Sequence, residues 1–216
     1  MAEAVLVTGG SGGIGAATCR ALAEAGYTPV VGYASGRDRA EAVGAFVLHC
    51  DMAEDGSIDA AVARLASETT LAGVVLAASP PPALLPFTKV TDQAALQWRV
   101  NVAGPRRLLA GLVKFCFRPR RAGFAVAVLS RAMGVEGDAS PGMADYVIAK
   151  HGLLGVVKAA AAEYPWLRTG FVAPGFTETA MLKAFDERYL EQARAAGRFS
   201  TADEVAAEIV ACARGA

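Results

Sequence analysis

The chain has 216 residues, suited to one sizeable domain over 1–216. Hydrophobic residues make up 54% and charged residues 19%, which excludes a disordered chain. The 21 basic and 21 acidic residues cancel, so global charge gives no support for nucleic-acid binding.

The N-terminus runs from Met1-Ala2-Glu3 into a strand pattern with no basic leader, and no run of about 18 apolar residues occurs without charges or breakers. A cytoplasmic protein away from membranes is expected. Cys19, Cys50, Cys116 and Cys212 lie far apart, and the histidines are His49 and His151 alone. Neither a metal site nor a disulfide framework is expected.

Short apolar runs at Val5–Val7, Thr28–Tyr33, Ala45–Cys50, Gly73–Ala77, Phe124–Leu129 and Thr169–Val172 read as strands. Helices are expected over Ile14–Ala25, Ser57–Ser67, Thr91–Cys116, Asp145–Tyr164, Thr177–Ala196 and Thr201–Ala213. Continuous apolar strands alternating with helices predict a Rossmann-like, doubly wound α/β fold around a parallel sheet. Pro80-Pro81-Pro82 reads as a stiff loop leaving the fourth strand, where it would border a ligand pocket.

Two motifs carry chemistry. Thr8-Gly9-Gly10-Ser11-Gly12-Gly13-Ile14-Gly15 lies between the first strand and first helix, where glycines admit a pyrophosphate and helical N–H groups favour its charge. Tyr146 and Lys150 stand one helical turn apart. An ammonium beside a phenol favours phenolate, which would bring the tyrosine's proton exchange towards neutrality.

These segments resemble the short-chain dehydrogenase/reductase family over nearly the whole chain, most closely its 3-oxoacyl-acyl-carrier-protein reductases. The resemblance implies an NAD(P)-dependent oxidoreductase in which Tyr146 exchanges a proton with the substrate oxygen. Lys150 would lower the tyrosine pKa and hold the nicotinamide ribose, and Asn101 would hold a water linking Lys150 to solvent. It implies cofactor contacts from Thr8, Gly9, Ser11, Gly13, Ile14 and Gly15, from Asp51 and Met52 after the third strand, and from Ala77 and Ala78 after the fourth. Pro174-Gly175-Phe176-Thr177-Glu178-Thr179 matches the segment that meets the nicotinamide, with Pro174, Gly175, Thr177 and Thr179 as contacts. Arg198-Phe199-Ser200-Thr201 resembles the approach to the last helix.

The second strand ends without an acid before Asp38, while Ser35 and Arg37 could receive a 2′-phosphate. NADPH is therefore expected over NADH, although Gly12 stands where many NADP-using relatives carry a basic residue. Three departures stand out. Leu76-Ala77-Ala78-Ser79 replaces the family's Asn-Asn-Ala-Gly. The carbonyl-binding serine is assigned to Ser130, sixteen positions before Tyr146; the usual serine could instead align with Arg131, and Ser140 is a fallback. The family's seventh strand is not found after the final helix, so six strands are expected.

The expected reaction is NADPH-dependent reduction of a ketone, a β-ketoacyl thioester on an acyl carrier protein docked through Arg118, Arg120 and Arg121. Met133, Met143, Phe176 and Met181 are candidates for an apolar substrate pocket. A homodimer through the Asn101 and Tyr146 helices is expected. Two alternatives stay open: a non-catalytic dinucleotide-binding sensor or partner subunit, and an NAD-dependent alcohol dehydrogenase.

Overall fold

A computed structural model describes residues 3–44, 46–134, 137–195 and 199–215. Ala45, Ala196 and Arg198, which fall within expected segments, lie outside the described residues. The main sheet contains β1 (Ala4–Thr8), β2 (Thr28–Tyr33), β3 (Val47–His49), β4 (Leu71–Leu76), β5 (Gly123–Val128) and β6 (Leu167–Val172). All pair in parallel in the order β3-β2-β1-β4-β5-β6. The order reverses between β1 and β4, so the crevice outside their carboxyl ends is the natural ligand position.

Every residue of β1 is buried, because the sheet is covered on both faces. Ala4 and Leu6 face a core shared with Ile58, Leu65, Leu108, Leu112 and Phe117. Val5 and Val7 face the other core, with Leu22, Val31, Phe124 and Ile209. The first core is roofed by α3 (Asp55–Glu68), α5 (Gly104–Leu112) and α6 (Ala144–Glu163). Helices α1 (Gly13–Glu24) and α8 (Ala202–Arg214) cover the second. Among the described residues between β2 and β3, the one helix is the short α2 (Arg37–Glu41). No helix among the described residues is long and apolar enough to cross a membrane.

The expected Thr91–Cys116 helix is helical throughout but changes its winding. Thr91 caps α4 (Asp92–Trp98), a π turn spans Arg99–Ala103, α5 follows, and a second π turn occupies Val113–Phe117. Pro105 explains the first change: it has no N–H to give the Asn101 carbonyl, so the i→i−4 ladder shifts there. Gly104 follows for a steric reason, since a Cβ there would lie 2.2 Å from the Met52 carbonyl oxygen.

The expected Thr177–Ala196 helix is corrected. Phe176–Thr177 forms β7, a 3-10 turn spans Ala180–Ala184, and α7 covers Glu187–Ala195. Phe185 is extended between these helical pieces, with its ring edge-on to Phe176 at 5.4 Å. Strand β7 pairs in parallel with β8 (Phe199–Ser200), and the Phe176 and Phe199 rings stack at 5.4 Å. This aromatic cluster overrides helical propensity.

Candidate active site

At the carboxyl ends of β4, β5 and β6 opens a cleft of about 320 Å³. Ser130, Tyr146 and Lys150 line it together with Ile14, Ala77, Pro174, Gly175, Thr177 and Thr179. Four elements distant in sequence thus bring catalytic and cofactor candidates to one place. Arg131 and Ser140, the alternative serine positions, line it too.

Tyr146 and Lys150 lie in the first two turns of α6, on the side packed against β5. The Lys150 Nζ lies 5.5 Å from the centre of the tyrosine ring and donates to the Val128 carbonyl at 2.9 Å. Lys150 is 2% exposed, and burial lowers its ammonium from 10.5 to about 7. Burial also raises the Tyr146 phenol above its ordinary value, opposed by its hydrogen bond with Ser130. The expectation that Lys150 lowers Tyr146 is therefore corrected. Desolvation of the phenolate is the larger cause, and the Ser130 hydrogen bond offsets it only in part.

Ser130 follows directly on β5 and Leu129, and caps the 3-10 turn Arg131–Met133, accepting from the Ala132 N–H at 3.2 Å. The Arg131 N–H donates to the Pro174 carbonyl at 2.9 Å, tying this turn to the segment after β6. Met133, expected in the pocket, is turned inward into the core, whereas Met143, Phe176 and Met181 line the cleft.

Asn101 is fully buried in the π turn. Its Nδ2 donates to the Gln97 carbonyl at 3.2 Å and to Gln97 Oε1 at 2.9 Å, while its Oδ1 is buried without a hydrogen-bond partner. Sequence reasoning missed Gln97. It is 1% exposed and donates to the carbonyls of Pro80 and Pro81 at 3.3 and 2.9 Å. Its only signal was a position one helical turn before Asn101.

The glycine loop fits an anionic dinucleotide. Gly12 caps α1 without any side-chain hydrogen bond, and no acid occupies the first turn, so N–H groups there are open to a phosphate. A Cβ on Gly15 would lie 2.2 Å from the Gly9 carbonyl oxygen, and one on Gly13 would lie 2.4 Å from Thr179. Gly9 takes a positive φ of 66° and packs against Ala78. Ser11 is half-buried in this loop.

Two expected contacts act otherwise. Thr8 is 1% exposed, and its hydroxyl accepts from the Ala77 and Ala78 N–H groups at 3.0 and 3.1 Å, joining β1 to the end of β4. The Met52 side chain sits in the core, leaving only its backbone for a ligand. Asp51 accepts from the Ala53 N–H at 2.8 Å, and its own N–H donates to Ser57. Ser35 and Arg37 are exposed after β2, with Arg37 paired to Glu41 at 2.7 Å.

Arg118, Arg120 and Arg121 precede the amino end of β5, whereas the cleft opens beyond its carboxyl end. Arg120 is moreover engaged by Glu3 and the Leu71 carbonyl. The structure does not bring these residues to the cleft within one chain.

The fold, the glycine loop without a side-chain cap and the paired Tyr146 and Lys150 fit an NAD(P)-dependent oxidoreductase. A family model described as short chain dehydrogenase matches residues 3–190. The 2,5-dichloro-2,5-cyclohexadiene-1,4-diol dehydrogenase of Sphingobium indicum is 34% identical, over 94% of this chain and 86% of its own. Acetoacetyl-CoA reductase of Paracoccus denitrificans is 33% identical, over 89% and 81%. The 3-oxoacyl-[acyl-carrier-protein] reductase FabG of Staphylococcus aureus is 28% identical over the same shares. Among solved structures, the alcohol dehydrogenase of Thermococcus sibiricus complexed with 5-hydroxy-NADP shares the fold, with a TM-score of 0.83, 22% identity, and coverage of 100% of this chain and 92% of that one. The chain belongs to the short-chain dehydrogenase family.

Proposed function

We propose that this protein reduces a ketone to an alcohol with NADPH, the ketone being a β-ketoacyl thioester. The observation that carries the reading is the convergence of Ser130, Tyr146 and Lys150 with the Pro174–Thr179 segment in one cleft. The thioester is supported by the names of the FabG and acetoacetyl-CoA relatives and by the apolar flank of Met143, Phe176 and Met181.

When bound, the dinucleotide supplies the hydride. Its phosphates would lie on the α1 N-terminus, with Ile14, Thr177 and Thr179 along its path and Ser35 and Arg37 available to a 2′-phosphate. Ser130 holds the substrate oxygen opposite Tyr146. Tyr146, whose raised pKa keeps it protonated through neutrality, gives its proton to that oxygen as charge develops. Lys150 anchors the ribose and returns a proton to the tyrosine. Asn101, through its unpartnered Oδ1, holds a water that resupplies Lys150.

Helices α5 and α6 form the proposed dimer face. They carry exposed Ile148, and Trp98 and Phe115 are exposed on the neighbouring turns. An acyl carrier protein serving this cleft docks at its mouth, away from the Arg118–Arg121 cluster of the same chain.

The test follows NADPH and NADH absorbance over a panel of β-ketoacyl thioesters and free ketones. Saturable NADPH-dependent turnover of a thioester is expected. Tight dinucleotide binding with no turnover of any carbonyl would instead favour the sensor.

A further inference from the structure

The charge in the cleft has one sign. Among its described lining residues there is no aspartate or glutamate, and the charged ones are Lys150 and Arg131. Lys150 is buried, donates to the Val128 carbonyl at 2.9 Å, and is lowered by burial to about 7. Arg131 is exposed and, unlike Arg20, Arg64 or Arg194, pairs with no carboxylate among the described residues. A guanidinium stays charged at any working pH, so Arg131 carries the permanent charge that the cleft offers a ligand.

The backbone beneath this side chain is fixed. The Arg131 N–H donates to the Pro174 carbonyl at 2.9 Å, and Ser130 accepts from the Ala132 N–H at 3.2 Å. Ser130, the residue before it, shares a hydrogen bond with Tyr146, where the ketone oxygen would be held. The glycine loop follows β1, whereas Ser130 and Arg131 follow β5, and β4 stands between the two strands. Two strand spacings separate those strand ends by roughly 10 Å. Arg131 therefore stands on the substrate side of the cleft, away from the phosphate loop.

We propose that Arg131 is a specificity-determining residue and that the acyl chain of the preferred substrate ends in a carboxylate. The wall of Met143, Phe176 and Met181 receives the methylenes, and the guanidinium takes the terminal anion in a charge-assisted, bidentate pair. No acid in the described lining repels that anion. An uncharged chain end gains nothing from Arg131, whose head then stays in water. The keto group in this substrate rests on the reductase reading; the anion site can be tested without turnover.

The test compares two N-acetylcysteamine thioesters, 3-oxoadipoyl and 3-oxohexanoyl, which differ only in a terminal carboxylate or methyl. Neither carries a phosphate, so the anion in the assay belongs to the acyl chain and not to a carrier arm. The readout is the ratio of their kcat/KM values, which a general loss of activity leaves alone. Wild type should favour the carboxylate at least about tenfold. Arg131→Met should bring the ratio to about one or below, and Arg131→Lys, which keeps the charge without the fork, should fall between. A wild-type ratio of one or less, or a ratio unchanged in Arg131→Met, overturns the proposal. If wild type reduces neither thioester nor any free ketone, the reductase reading fails. Titration of the dinucleotide-loaded protein with adipoyl and hexanoyl thioesters then judges the anion site alone. Tighter binding of the adipoyl form that is lost in Arg131→Met supports it, and equal binding of the two overturns it.

Discussion

Replacing Lys150 by methionine should stabilise the fold while abolishing its chemistry. Lys150 is buried, and its ammonium is lowered from 10.5 to about 7. Because the folded pKa lies below the unfolded one, the unfolded chain binds more protons between those values, and wild-type stability rises with pH across that window. At about 1.4 kcal/mol per unit, keeping this lysine folded costs roughly 4 kcal/mol at pH 7 and roughly 2 kcal/mol at pH 9. Methionine removes this cost but also removes the 2.9 Å bond to the Val128 carbonyl. Leaving that carbonyl unpaired costs about 1–3 kcal/mol. The variant should therefore be more stable at pH 7 by about 1–3 kcal/mol, raising Tm by about 2–12 °C for a chain of this size. By pH 9 the advantage should shrink by about 2 kcal/mol, to near zero. Thermal unfolding of both proteins at the two pH values measures this directly. A methionine variant less stable at pH 7, or a gap that does not narrow by pH 9, would refute the reasoning.

Two further outcomes are expected from the cofactor side. Gly15→Ala places a Cβ against the Gly9 carbonyl at 2.2 Å, which backbone must yield to accommodate. Dinucleotide binding measured by fluorescence should weaken at least about tenfold, against about 1.4 kcal/mol of lost affinity, and unchanged binding would contradict the loop assignment. Arg37→Ala removes the cation proposed for the 2′-phosphate, so NADPH affinity should fall about tenfold while NADH affinity changes little. Equal losses for both cofactors would show that Arg37 acts only through its pair with Glu41.

The parts legible in sequence were those with a period or a fixed local order. Val5-Leu6-Val7 and Phe124–Leu129 announced strands covered on both faces, and the parallel order followed from the helices between them. The glycine loop was legible because strand, glycines and helix occur within one short segment. Contacts between distant segments were not. Phe176 and Phe199 are far apart in sequence, and β7 and β8 exist only where these segments meet, paired in parallel with the two rings stacked. The π turn at Asn101 had its cause written four residues on, in Pro105, but a long apolar helix reads the same with or without it. Thr8 looked like a ligand contact because its hydroxyl's partners, the Ala77 and Ala78 N–H groups, come from another strand end. Tyr146 and Lys150 were legible as a pair, but the direction of their pKa shifts was not, because burial decides it and the spacing does not reveal burial.

The central claim is that Tyr146 gives the proton in this cleft. Single-turnover reduction of a ketone by NADPH-loaded wild type and by Tyr146→Phe tests it most directly, with cofactor affinity measured in parallel. Loss of a hydroxyl that serves only as proton donor should slow the reduction at least about 100-fold and leave NADPH affinity within about twofold. A Tyr146→Phe enzyme that reduces the ketone at the wild-type rate would contradict the account.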